Sequence, residues 1–422
     1  MTKKIPVIKD TDVVVVGGGI AGISAALAAA RLGANTILVE KETAPGGLAT
    51  LGNIIVYLPI CDGMGNQVIG GIGEELLHLS VSDGFNKIPS CWEKGGDVNQ
   101  RKQTRFRVDF NPASFMLSME ELILKSGVDI WYDSRFCDVK SKNGMIKTIF
   151  IENKSGRVAI NCKTVIDASG DADVCARSGE SVESVKTNVE SAWCFYFKDN
   201  QKTEPIKKTE EKDSENEERP RSSKERQILL TVAPLSKPVQ ADPRKPPIGS
   251  RGFAGDDGRD VSDLVIATHN MIREKIKDLQ KKEKANLRIY PGILPLVPSL
   301  RMTRRLIGEL EINEDDDGEY FEDCIGMTGS WKKRGPVYYI PYRSLVGVKN
   351  SNLISAGRCI SSSGPAWDIT RVIPVCAVTG EAAGTAAAIA SKENEGNLKT
   401  IEIKFLQKQL LKQGVIINKR SK

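Results

Sequence analysis

Histidine is almost missing, with two in 422 residues. That scarcity disfavours chemistry built on imidazole, serine-hydrolase triads and zinc proteases above all. Cysteine occurs nine times, but no two stand in a Cys-x-x-Cys pair, so neither a zinc nor an iron–sulfur site is expected and no metal is assigned. Scattered thiols, together with a short polar N-terminus that lacks a signal-like apolar core, lead to the expectation of a reducing, cytoplasmic setting. No run of 18 apolar residues is free of charge, so no membrane span is expected. Charge of one sign is lacking too. Sixty Lys+Arg against 54 Asp+Glu leave +6, which is no argument for nucleic acid. What is present, 40% hydrophobic and 27% charged residues, suits a globular chain with a sizeable core. At roughly 150 residues per domain the length implies about two to three domains.

The clearest local signal is at the start. Asp12–Val16 is an apolar β-branched run, read as a buried parallel strand. Three glycines break it, Ile20–Leu32 reads as a helix stopped at Gly33, and Asn35–Val39 reads as a second strand. This βαβ unit carries G-x-G-x-x-G as Gly17, Gly19 and Gly22. Each glycine has its own reason: a tight turn, close backbone approach to a pyrophosphate, and close packing of helix on strand. Ile20 and Ala21 open the helix whose N–H groups and dipole favour phosphate. Glu40, followed by Lys41, ends the second strand 18 residues beyond Gly22. There an acid accepts hydrogen bonds from an adenosine ribose and repels a 2′-phosphate. The segment therefore predicts a dinucleotide site, without choosing between FAD and NAD.

Further along, Pro112–Ser126 predicts a helix and Val128–Tyr132 a strand. Arg135–Ile160 predicts a β-meander turning at Asn143-Gly144 and near Ser155-Gly156, with a separate strand at Thr164–Ala168. Residues 201–226 hold eight charges of each sign and almost no large apolar group. Such a composition predicts a solvated, mobile insertion, with a substrate lid or docking element as alternatives. Pro234–Pro247 reads as extended. Helices are expected at Asp260–Lys282, Val375–Ser391 and Ile403–Gln413, and strands at Thr303–Ile312, Val337–Leu345 and Asn352–Ala356.

Four segments resemble the FAD-dependent oxidoreductase family of the glutathione-reductase-type fold. They are Gly46-Gly47-Leu48-Ala49-Thr50; Val165–Asp173 with Ala168-Ser169-Gly170-Asp171; Ser299–Gly308; and Ile340–Leu345 with Asn352–Ser361 and Arg371–Cys376 leading to Gly380 and Gly384. The resemblance implies FAD as cofactor. It also implies that residues 46–50 run past the flavin, that Gly357-Arg358 contacts the ribityl or pyrophosphate, and that Val139 in the meander meets adenine. Arg371, Val372 and Ile373 would precede a helix that Pro374 starts well and whose positive end faces the pyrimidine side of the isoalloxazine. A helix N-terminus stabilises the charge of reduced flavin by about 0.3–1 kcal/mol when exposed.

For chemistry, Arg301 leads an arginine cluster with Arg304 and Arg305, suited to a substrate carboxylate. On a strand Arg304 and Arg305 would face opposite ways, so at most one joins Arg301. Cys359 is a candidate redox thiol, with a buried structural cysteine as the alternative. Asp368 is a candidate acid or base, or a turn former. His78 and His269 lie near no motif. No second G-x-G-x-x-G occurs between Ser181 and Leu345, so a built-in NAD(P)H domain is not expected. The electron partner is then the substrate itself, transient NAD(P)H, a small carrier protein or oxygen.

The expected fold is α/β: a Rossmann-type FAD-binding domain, parallel sheet plus β-meander, with a second mixed α/β substrate-capping domain. The cofactor domain would be discontinuous, 9–180 plus 346–422, and the cap would span 181–345. The expected function is hydride transfer between flavin N5 and a small organic, carboxylate-bearing substrate. The alternatives are a reductase of an activated double bond fed by an external donor, and a non-catalytic FAD-binding regulator or scaffold. Self-association as a homo-oligomer is left open.

Overall fold

The computed structural model describes residues 5–199, 226–233, 245, 250–283 and 288–418. The insertion read at 201–226 lies outside them apart from Arg226, as does most of the proline-rich stretch 234–247.

Strand β1 (Val7–Val16) is central because Val13–Val16 are buried on both faces. Val13 and Val15 join one apolar cluster, Val14 and Val16 another. That two-sided burial is why the strand reads as an unbroken apolar run. Helix α1 (Ile20–Arg31) and strand β2 (Thr36–Val39) complete the first βαβ unit. A short ribbon, β3 (Val56–Tyr57), α2 (Gly71–Ser80), α3 (Val98–Arg101) and β4 (Val108–Asp109), precedes α4 (Pro112–Lys125) and β5 (Asp129–Trp131). Asn111 caps α4 through hydrogen bonds from Ala113 N and Ser114 N, with Pro112 in its first turn. The meander is β6 (Arg135–Lys142), β7 (Met145–Asn153) and β8 (Gly156–Asp167).

The sheet runs β5-β2-β1-β8-β7-β6, and β16 (Leu353–Ser355) also pairs with β8. The sequence suggests a break between the meander and Thr164–Ala168, but β8 is one twelve-residue strand. It lies parallel to β1 along most of its length. Its other edge serves two partners in turn, antiparallel β7 as far as Asn161 and parallel β16 from Val165. The change of partner, and not a chain break, divides the two halves.

Between β8 and β16 come α5 (Asp173–Arg177), β9 (Val182–Ser184), β10 (Ala192–Asp199), β11 (Arg226–Val232), α6 (Gly258–Lys282), β12 (Arg288–Pro291), β13 (Arg304–Leu306), β14 (Cys324–Gly329) and β15 (Val337–Pro341). Strands β11-β10-β12 form a three-stranded sheet. Ile272 and Ile276 of α6 close a core over it with Cys194, Leu230 and Ile289. The strand expected over Thr303–Ile312 shrinks to the three residues of β13, paired with β9. The β14–β15 hairpin packs differently. Its residues share the large core of α1 and the C-terminal helices. The domain boundary expected at 345 therefore does not coincide with a change of core.

The chain ends with α7 (Gly364–Thr370), α8 (Ile373–Glu393) and α9 (Ile403–Lys412). Helix α8 crosses α1 at unusually close range. A Cβ on Gly380 would sit 2.2 Å from the Ala21 carbonyl oxygen, and one on Gly384 2.1 Å from that of Ala25. Small residues on both helices thus tie the C-terminal segment to the first βαβ unit. Helix α8 is, among the described residues, the one helix long and apolar enough to cross a membrane by length and composition. It is enclosed by protein, as a core helix is.

Candidate active site

The loop after β1 is shaped by contacts that exclude side chains. Gly17 adopts φ +104°, and a Cβ there would meet the Ala168 carbonyl oxygen at 2.5 Å. A Cβ on Gly22 would lie 1.7 Å from the Gly17 oxygen. Gly19 is the opposite case, because nothing lies within 4 Å of a Cβ built there. The loop is therefore tight on its protein side and open at its middle glycine. Helix α1 begins at Ile20 with no side-chain cap, so its first N–H groups face that opening without a protein acceptor.

Glu40, 6% exposed, closes the far end of β2. Its Oε2 accepts from Gly18 N and its Oε1 from Glu42 N at 2.8 Å. Burial pushes its pKa up, while those N–H groups and Lys41 oppose the rise. Each carboxylate oxygen keeps a lone pair for a ribose hydroxyl. The start of the meander abuts this corner, with Ser134 N donating to Glu40 O at 3.0 Å. Val139 is half-buried on β6 beside the apolar cluster that contains Val39.

Three further segments converge here. Gly46 pairs with Gly19 as an isolated bridge and donates to Gly18 O at 2.8 Å. Gly47–Ala49 is a 3-10 turn, held by the Thr50 hydroxyl donating to Pro45 O at 2.6 Å. Ala168 N donates to Val16 O at 2.9 Å, which sets Ser169-Gly170-Asp171 beside the glycine loop. The Arg358 guanidinium pairs with Asp171 at 3.3 Å and donates to Leu300 O at 2.8 Å, and Gly357 N donates to the Thr379 hydroxyl at 3.0 Å. Thr379 is a positioning residue that the sequence reading overlooked. Its one signal is a polar side chain on the buried face of a small-residue helix.

The start of α8 lies close by. Val372 is its N-cap without a side-chain cap, and Pro374 stands in the first turn. Around it the structure brings together Arg301, Asp368 and Arg371, residues that the sequence proposed separately. Asp368 pairs with Arg371 and with Lys332. Burial would raise the Asp368 pKa, but Arg371 and Lys332 together hold it below the ordinary carboxylate value. Asp368 is therefore ionised near neutrality, which argues against a general-acid role and leaves it a weak base tied up in two ion pairs. Arg301 is solvent-accessible. Yet protein surrounds it closely enough that burial, then Arg371, lowers its pKa while Asp368 raises it. Arg301 thus stands at the surface within electrostatic reach of Arg371 and Asp368. Its guanidinium makes no hydrogen bond or ion pair among the described residues. Its backbone is pinned by Asn188, whose Oδ1 accepts from Arg301 N at 2.8 Å. Asn188, Trp331 and Lys332 were not foreseen, because they come from distant segments with no motif.

The other arginines are already engaged. Arg304 binds Asp173 at 2.7 Å, and Arg305 binds Glu183 and, at 2.6 Å, Glu311. They do face opposite ways, but neither joins Arg301. Cys359 is fully buried, its thiol pushed up to about 12 first by burial and then by Asp167. Its placement in the core under β8 argues against the redox role considered for it. A separate recess of about 410 Å3 lies against α6, lined by His269, Ile272, Arg273 and Leu294 among others. None of the cofactor or substrate residues named above lines it.

An open glycine cradle, two uncapped helix starts and a buried acid at the end of β2 fit a flavin dinucleotide: Ile20–Gly22 would hold its pyrophosphate and Glu40 its ribose. The class so defined is an α/β dinucleotide-binding protein. The chain belongs to the FAD dependent oxidoreductase family, which matches residues 12–410. Membership of an oxidoreductase family favours an enzyme over the non-catalytic reading. A 71-residue stretch is 39% identical to a thioredoxin reductase of Ureaplasma parvum serovar 3, covering 17% of this chain and 23% of that relative. Similar solved structures include a geranylgeranyl bacteriochlorophyll reductase-like protein of Thermoplasma acidophilum, 14% identical, with a TM-score of 0.45 over 97% of this chain and 84% of that one. A myxobacterial chondrochloren halogenase is 12% identical, with a TM-score of 0.44 over 96% and 78%.

Proposed function

We propose that the protein, with a glutathione-reductase-type cofactor domain, transfers a hydride between flavin N5 and a carbon of a small organic substrate. The substrate's carboxylate is held by Arg301. FAD, when bound, supplies the hydride acceptor or donor at N5. The observation that carries the reading is the unpaired, exposed Arg301 guanidinium beside Arg371 and Asp368, with Lys332 paired to the same Asp368. Three cations against one carboxylate leave that surface positive. A guanidinium binds a carboxylate bidentately and so fixes the orientation of the carbon behind it. Asp368, kept ionised, positions Arg371 and Lys332 and does not deliver a proton. The uncapped start of α8, next to Arg371, also favours negative charge. The substrate proton is exchanged with water, which reaches Arg301.

The test is a titration of the holoenzyme with acetate, malonate and succinate, followed by flavin absorbance. Arg301→Ala should weaken carboxylate binding about ten- to a hundred-fold, the worth of a charged hydrogen bond. Arg301→Lys should recover part of the loss, because it keeps the charge but not the fork. Equal affinity in wild type and Arg301→Ala would overturn the assignment.

A further inference from the structure

Two stretches without a single acidic residue, 98–108 and 330–336, carry seven cations between them. The fold presses them together. Arg105 donates to Ser330 O, and Arg334 donates to Gln103 O at 3.3 Å. Gly63 sits between them, where a Cβ would lie 2.9 Å from Arg334 Cγ and 3.1 Å from Arg105 Cδ. The carboxylate in that loop, Asp62, is turned inward, 1% exposed, and taken up by Met64 N and Asn66. Lys102, Lys333 and Arg334 are exposed and form no ion pair among the described residues. Like charges gathered with one counter-charge, Asp368 on Lys332, repel one another, so the arrangement costs stability and asks for an anionic partner.

The patch is continuous with the Arg301–Asp368–Arg371 group. Trp331 Nε1 donates to Asp368 O at 3.0 Å, and Lys332 pairs with the Asp368 carboxylate, beside Arg371 and the start of α8. The chain also lacks a second G-x-G-x-x-G for a resident nicotinamide. We propose that the surface formed by Lys102, Arg105, Lys333 and Arg334 docks an acidic one-electron carrier protein that reduces the bound flavin. Two reduced carriers each lose one electron, and these, with two protons from water, reduce one FAD. The position beside the helix start that would face the flavin favours a redox protein over a nucleic acid. The proposal is independent of the carboxylate assigned to Arg301.

The test uses the holoenzyme with a reduced plant-type [2Fe–2S] ferredoxin as the acidic probe. Lys102→Glu with Lys333→Glu should slow flavin reduction by at least about tenfold at low salt and flatten its salt dependence, since steering by opposite charge raises association rates by about 10–1,000-fold. Lys102→Gln with Lys333→Gln should fall between, and it guards against a fold disturbed by reversed charge. Reduction by dithionite should change less than about twofold. The proposal fails if ferredoxin does not reduce the flavin, or reduces wild type and variants alike. It fails equally if dithionite slows as much, which marks a funnel for small anions. Loss of single-stranded oligonucleotide binding in the variants, with ferredoxin rates unchanged, would assign the patch to nucleic acid.

Discussion

Glu381 stands in the middle of α8 among alanines and glycines and is 1% exposed. Its Oε2 accepts from Ile72 N at 2.7 Å, at the first turn of α2. Burial pushes its pKa up to about 8 against an ordinary 4.5, Glu75 adds to the rise, and the Ile72 N–H and Arg31 oppose it. Between pH 4.5 and 8 the folded protein therefore holds a proton that the unfolded chain has released. Stability from this group is fully present below 4.5 and is lost as pH rises through 8. At about 1.36 kcal/mol per pH unit, the loss between pH 5 and 8.5 has an upper bound of roughly 4 kcal/mol. Water entry and relaxation of α2 bring the real figure lower. Glu381→Gln keeps an acceptor for Ile72 N and removes the titration. Urea unfolding with saturating FAD at both pH values should show wild type losing more stability than Glu381→Gln, by at least about 1 kcal/mol. An equal loss, or a larger one in the variant, would refute the reasoning.

Two other substitutions separate fold from cofactor. Gly22→Ala drives a methyl group into the Gly17 carbonyl and should yield little folded protein, whereas Gly19→Ala meets open space and should fold with native circular dichroism but bind FAD more weakly, as equilibrium dialysis would read. Cys359→Ala should lower stability by about 1–2 kcal/mol through lost packing and leave the rate of flavin reduction unchanged in stopped flow; loss of reduction would restore a redox role to the thiol.

The parts legible in the sequence were those where local and global demands agree. The valines of β1, the glycines after it and Glu40 announce themselves because a dinucleotide loop needs each of them for a separate steric reason. Strand β14 was not legible. Its two glycines argue against a strand, yet Gly326 is required because a Cβ would lie 2.2 Å from Val378 of α8. The Arg301 site was half legible. Arg301 and Arg371 stood in motifs and Asp368 three residues before Arg371, but Lys332 reaches Asp368 across 36 residues of chain, and nothing local records that meeting. Arg304 and Arg305 looked equivalent to Arg301, and only their carboxylate partners tell them apart. Glu381 did leave a trace, as the single acid within Val375–Ser391.

The most direct test of the account is the absorbance spectrum of the purified protein, reconstituted with FAD where needed and followed through anaerobic photoreduction. The account predicts flavin bands at one FAD per chain that bleach on reduction and respond to added carboxylates. A folded, colourless protein that takes up no FAD would contradict it.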